Sequence, residues 1–243
     1  MATQTFREPA GEPDDPARFE LASWSVMEQL GRTLRVPEAD LQSTLDAIAR
    51  TAVEAIGPAR YAGVNLYEHG KFMPQAVLGD PPMMLDQLQQ ATGTGPCIDA
   101  SADQVTIRID DMTTETRWPE YTGRALSLGV ASMLCVPLHV ADQRLGSVSL
   151  YATDRVAFSL ADEFVARLFA TQAALALADA HRADQLRRAL SNRDVIGQAK
   201  GILMERHRVT ADEAFEMLSE HSQRMNRKLA DVARALAETG TLD

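Results

Sequence analysis

Cysteine is close to absent from this chain: Cys97 and Cys135 are the only two in 243 residues. Two thiols far apart in sequence make neither a disulfide framework nor a metal-ligand motif, and they read as reduced, buried side chains. Aromatic residues are also scarce, at 5%. No apolar run approaches the roughly 18 residues that a membrane span needs. The opening residues, MATQTFREPAGEPDDPARFE, have neither the apolar centre nor the cleavage pattern of a signal peptide. A cytoplasmic protein without a membrane partner is therefore expected. Also missing are a phosphate-binding glycine loop, a nucleophile elbow and a metal cluster, so no catalytic residue, metal or cofactor is expected. His207 and His221 lack cysteine partners and read as surface or helix-end histidines. Asp110-Asp111 reads as a solvated turn. GTGPC reads as a tight loop at a pocket mouth and weakly as a phosphate site, because no helix visibly begins there.

What is present is an ordinary apolar share, 45%, and an uneven charge. The net charge of −10 would on average repel nucleic acid. That average hides a segregation. Between Arg182 and Arg234 stand eleven basic and eight acidic residues, a local excess of three, which leaves the remainder at −13.

Residues 1–18, rich in Pro, Gly, Asp and Glu, read as a flexible tail. FELASWSVMEQLGRTL is helical. A second helix follows, with Pro37 at its start and Gly57 as its stop; Leu41, Leu45, Ile48, Ala52 and Ile56 lie on one stripe. The period then changes. YAGVNLY and FMPQAVL flank the turn EHGK, VTIRI is a third strand, and SMLCVPLHV and LGSVSLYA form a second hairpin around ADQR. Helical residues around PEYTGRALSLG lie between them. Helices, antiparallel strand pairs and helices again indicate an α+β domain.

From Ser159 one long helix is expected, uninterrupted by Gly or Pro until Gly197. Phe164, Leu168, Thr171, Leu175, Ala178 and Arg182 alternate by four and three, the spacing of a packed seam. Packing of this helix on its own sheet is the alternative. The remaining chain reads as three short helices. Val195, Ile196, Ala199, Ile202 and Leu203 point into a small core, and TADE, Thr210 to Glu213, is a capping box. The second helix is expected to bury Ala214, Phe215, Leu218 and Ser222, and the third Leu229, Val232, Ala233 and Leu236. With Phe215 inside, no aromatic platform for stacking bases is left. Nucleic acid would then be held through phosphates and base edges. Arg193, Gly197, Lys200, Gly201 and Met204 share the opposite side of the first helix, and two glycines there would let a partner's backbone approach. A small-residue contact between helices of a dimer is the alternative. Arg224, Asn226, Arg227 and Lys228 form a second group of donors at the corner RMNRK.

RDVIGQAKGILMERHRVTADEAFEMLSEHSQRMNRKLADVARAL closely resembles the ANTAR domain, through Ala199-Lys200-Gly201, the following Ile-Leu-Met, TADEAF and NRKLADVA. Ser219 departs from the basic residue that many members carry after the leucine. The preceding domain resembles a GAF domain, through SMLCVPLHVADQRLGSVSLYA and FSLADEF. Phe158, Asp162 and Glu163 match part of a signature of cyclic-nucleotide GAF domains, but the preceding Asn-Lys pair is absent, so cyclic-nucleotide binding is not implied. The resemblance implies a tail over 1–18, a GAF domain over 19–181 (an antiparallel sheet flanked by helices), and, after a long connecting helix, a three-helix ANTAR domain over 182–239. It implies a homodimeric, non-enzymatic regulator that binds paired RNA stem-loops in nascent transcripts and prevents termination. RNA contacts are implied for Arg193, Gly197, Lys200, Gly201, Arg224, Asn226, Arg227 and Lys228. The GAF domain is expected to sense and to dimerise, with the existence and identity of its small-molecule ligand open. A DNA-binding regulator with a helix-turn-helix-like tail, and a sensor or dimerisation protein that binds no nucleic acid, remain alternatives.

Overall fold

Residues 40–68 and 71–241 are described by the computed structural model. The expected tail over 1–18, the helix FELASWSVMEQLGRTL, the start at Pro37 and the centre of the EHGK turn lie outside the described residues. The described chain divides into two compact units, the second beginning at His181.

The first unit starts with α1, Leu41–Ala55, whose first free amides are capped by Asp40: its carboxylate accepts from the Ser43 N–H at 2.7 Å. Leu45, Ile48, Ala52 and Ile56 are buried along the expected stripe, and Leu41 packs at its edge. The two hairpins form as expected, β1 (Tyr61–Glu68) with β2 (Lys71–Leu78), and β4 (Ser132–Val140) with β5 (Gln143–Ala152). With β3 (Ile107–Ile109) they make one antiparallel sheet of order β2-β1-β5-β4-β3.

Two helices were not expected. α2, Asp80–Thr92, buries Pro81, Pro82, Leu85, Asp86 and Gln89, a stripe with too little apolar character to register as a helical period. α3, Pro96–Asp103, begins inside GTGPC, correcting the loop reading: Gly95, at φ 149°, releases the chain into Pro96 at the first helical position. α4, Pro119–Ser127, matches the expected helix.

Side-chain alternation separates the two faces of the sheet. Val64, Leu66, Leu134, Val136, Val148 and Leu150 pack with α1 and with α5, Leu160–His207. Met133, Cys135 and Tyr151 face α2, α3 and α4. α5 is one uninterrupted helix of 48 residues. It buries Val165, Ala166, Phe169, Ala170, Ala173, Ala174 and Leu177 against the first core. Its other face carries Phe164, Thr171 and Leu175 exposed and Leu168 and Ala178 half-buried, so packing on the sheet and an outward seam coexist on one helix.

The second unit packs the last part of α5 with α6, Ala211–Met225, and α7, Leu229–Thr239. Ala199, Leu203, Ala214, Leu218, Val232, Ala233 and Leu236 are its core. The capping box forms in both directions, Glu213 N–H to Thr210 Oγ1 at 3.3 Å and Thr210 N–H to Glu213 Oε2 at 2.8 Å. Phe215 and His221 differ from expectation. The buried stripe of α6 is Ala214, Leu218 and His221, at intervals of four and three. Phe215 stands about 100° round the helix from Ala214 and is 42% exposed. Ser222 is half-buried.

Candidate nucleic-acid interface

α5 places Arg193, Gly197, Lys200 and Met204 at intervals of four, three and four, and therefore along one side. Arg193, Gly197, Gly201 and Met204 are exposed and Lys200 is half-buried. The opposite side of the helix is spent on Ala199 and Leu203. A Cβ added at Gly197 or Gly201 would meet nothing within 4 Å, so neither glycine is required by packing inside the unit. Lys200 lies over the ring of Phe215, with Nζ 5.8 Å from the centroid. An exposed aromatic ring and a cation are thus brought together where sequence reading left neither partner for the other. The signal is that Ala214, not Phe215, takes the buried position, and two adjacent apolar residues concealed it.

The corner group is built differently. α6 ends on Asn226 in the left-handed conformation, φ 51°, which asparagine tolerates better than bulkier residues. Ser222 Oγ donates to the Arg227 carbonyl and helps hold the turn. Asn226, Arg227 and Lys228 are exposed. Arg224 is set apart from them by its partner, with Nη2 2.8 Å from His221 Nδ1. These two residues line a concavity with Arg206, His207 and Glu220. His221 is thus a buried core residue rather than a surface one, while His207 is exposed at the end of α5. Among the described residues no three His, Cys, Asp or Glu side chains are placed to hold a metal, and no helix is long and apolar enough to cross a membrane.

The first unit holds a second polar feature, between the sheet and α2–α3. Asn65, Asp86, Gln89, Ser147 and Ser149 are wholly buried there, with both cysteines. Asn65 Nδ2 and Gln89 Nε2 donate weakly to Asp86 Oδ1, at 3.5 and 3.4 Å. Gln89 Oε1 accepts from the Cys97 N–H at 2.9 Å. Ser149 Oγ stands 3.0 Å from Cys97 Sγ and donates to Cys135 Sγ at 3.3 Å. Asp86 Oδ2 and Asn65 Oδ1 have no hydrogen-bond partner among the described residues. Burial pushes the Asp86 carboxyl well above its ordinary range; the neighbouring Cys97 adds to the rise and the Asn65 hydrogen bond opposes it. Burial likewise pushes the Cys97 thiol well up, keeping it neutral.

A neutral Asp86 makes stability depend on pH. The fold keeps a proton that the unfolded chain releases above the ordinary carboxylate value of 3.8. This group's contribution is therefore whole below that value and falls as pH rises towards the raised one. Asp86→Asn is neutral throughout. Its unfolding temperature should gain on that of the wild type as pH climbs above that ordinary value, with the gain vanishing at the acid end. A difference independent of pH in thermal melts would show that Asp86 is already ionised in the fold.

Comparison with known proteins places both units. The GAF domain family matches residues 38–178, and the ANTAR domain family matches residues 184–236. Among solved structures, the GAF domain of an Acinetobacter phosphoenolpyruvate-protein phosphotransferase is similar, at 13% identity and a TM-score of 0.52, covering 69% of this chain and 98% of that one. A putative GAF sensor protein from Burkholderia vietnamiensis matches at 16% identity and 0.51, covering 73% and 99%. The free methionine-R-sulfoxide reductase of Neisseria meningitidis matches at 18% and 0.52, covering 71% and 96%. At such identities these likenesses show the fold alone. No curated protein gives a significant match.

Proposed function

Because the chain belongs to the GAF domain family over residues 38–178 and carries an ANTAR domain over residues 184–236, we propose that it is an antitermination regulator whose second unit holds paired stem-loops of a nascent transcript. The observation that carries this reading is the face of α5 where Gly197 and Gly201 are open and Lys200 stands between them. Phosphate needs cations, and close approach of a backbone needs the absence of side chains. Arg193, Gly197, Lys200 and Gly201 form the approach surface, and Arg224, Asn226, Arg227 and Lys228 supply further donors. Holding the two stem-loops favours the antiterminator over the competing terminator hairpin, in the cytoplasm where transcripts are made.

Residues 19–181 act as the sensor domain and 182–239 as the RNA-binding domain. The outward seam of Phe164, Leu168, Thr171, Leu175 and Ala178 supports pairing of two chains, and two RNA-binding domains suit two adjacent loops. A ligand of the sensor domain would regulate RNA binding by favouring one of two arrangements of the dimer.

Gel-shift titration tests the reading. Affinity for a two-stem-loop RNA should fall steeply with added salt. Lys200→Ala and Arg227→Ala should each weaken binding and lower the salt slope by about one. Equal affinity for unrelated RNA overturns the proposal, and a preference for duplex DNA replaces it with a DNA-binding regulator.

A further inference from the structure

We propose that the ring of Phe215 is a stacking platform for an unpaired base of the bound RNA, with Lys200 serving the phosphate beside that base. This rests on the reading of the second unit as RNA-binding and adds to it a site for the base itself.

The core of the unit does not use this ring. Ala214, Leu218 and His221 fill the buried stripe of α6, and Phe215 remains 42% exposed. Leaving an aromatic ring 42% exposed forgoes part of the stabilisation that full burial would give. The contact at the ring is a cation, which suits a polyanion better than an apolar protein surface. The ammonium of Lys200 lies 5.8 Å from the ring centroid, and an apolar partner closing over both would strip that charge of water without pairing it. A nucleotide satisfies both groups, its base meeting the ring and its phosphate the ammonium.

Access is also open. Gly201 follows Lys200, and a Cβ built there meets nothing within 4 Å. One turn along α6 from Phe215 stands Ser219, a small residue whose hydroxyl folds back onto the Phe215 carbonyl at 2.8 Å. A cation can take only one face of an aromatic ring, and at 42% exposure part of Phe215 remains open to solvent and to a base. Stacking on a lone ring tolerates any base, so this contact fixes where a loop base is splayed out more than which base it is.

The test uses the full chain and a set of two-stem-loop RNAs, each carrying 2-aminopurine at a different loop position, since stacking quenches its fluorescence. Wild-type protein should quench one loop position strongly. Phe215→Leu keeps an apolar side chain without a stacking face, and it should lose that quenching and bind about tenfold more weakly. Phe215→Trp should restore both. If wild-type protein binds these RNAs but quenches no loop position, or if Phe215→Leu binds and quenches like wild type, the platform is wrong and the RNA-binding reading stands. If Phe215→Leu dissociates the dimer in sedimentation and leaves quenching intact, the ring is a protein contact instead. Failure of wild-type protein to bind any stem-loop RNA overturns the functional reading, and the platform with it.

Discussion

Gly197→Ala and Gly201→Ala, combined in one chain, should stabilise the second unit and weaken its hold on RNA. Glycine within a helix costs about 0.8–1.0 kcal/mol relative to alanine. Both glycines lie inside α5, and neither takes a positive φ that alanine would resist. The added methyls meet nothing within 4 Å, so no clash offsets the gain. The pair should therefore raise the unfolding transition of this unit by several degrees. A methyl interposed at each site holds an RNA backbone away from Lys200, and misfit of that order costs about 1–3 kcal/mol, roughly 5- to 150-fold in affinity. Thermal melts and filter binding on the same preparation measure both. Tighter RNA binding together with higher stability would remove the glycines from the interface. Loss of dimer with binding of a single stem-loop intact would assign them to a contact between helices.

Glutamate at both Phe164 and Leu175 should convert the protein to monomers and weaken a two-stem-loop RNA by about 100-fold or more, leaving a single stem-loop bound as before. The two side chains are 44% and 46% exposed, whereas Val165, Phe169, Ala173 and Leu177 hold α5 to its own sheet. The substitutions thus add charge to an outward seam without removing anything from the core. A charged pair at such positions opposes burial in a second chain. Tethering two RNA-binding domains makes the second contact intramolecular, and that advantage is what a monomer forfeits. Sedimentation and paired titrations with one-loop and two-loop RNAs measure the effect. A dimer that persists in the double variant would place the contact between chains elsewhere.

The hairpins, α1, the long helix and the capping box were legible because each carries its own periodic or capping signal. VTIRI and SMLCVPLHV alternate or run apolar, and Thr210 and Glu213 stand at the spacing that lets each cap the other. α2 was not legible, since burial of Asp86 and Gln89 hides a helical face from a search for apolar periodicity. α3 carried a start signal, Pro96 after Gly95, that the surrounding glycines disguised as a loop. At the candidate site, the open glycines and Lys200 followed from helical spacing alone. Phe215 did not, because Ala214 and Phe215 are adjacent apolar residues and only packing decides which of them turns inward. His221 was obscured for a different reason, a polar residue taking the third place in a core stripe. The corner residues are where sequence reading placed them, but it grouped Arg224 with Arg227, while the fold pairs Arg224 with His221.

Crosslinking the protein to its nucleic acid in cells and sequencing what is bound shows what the second unit recognises. Recognition of paired stem-loops predicts transcript leaders enriched in two adjacent stem-loops, the second overlapping a terminator hairpin, and loss of that enrichment in Lys200→Ala. Enrichment of duplex DNA, or of RNA without paired stem-loops, would contradict it.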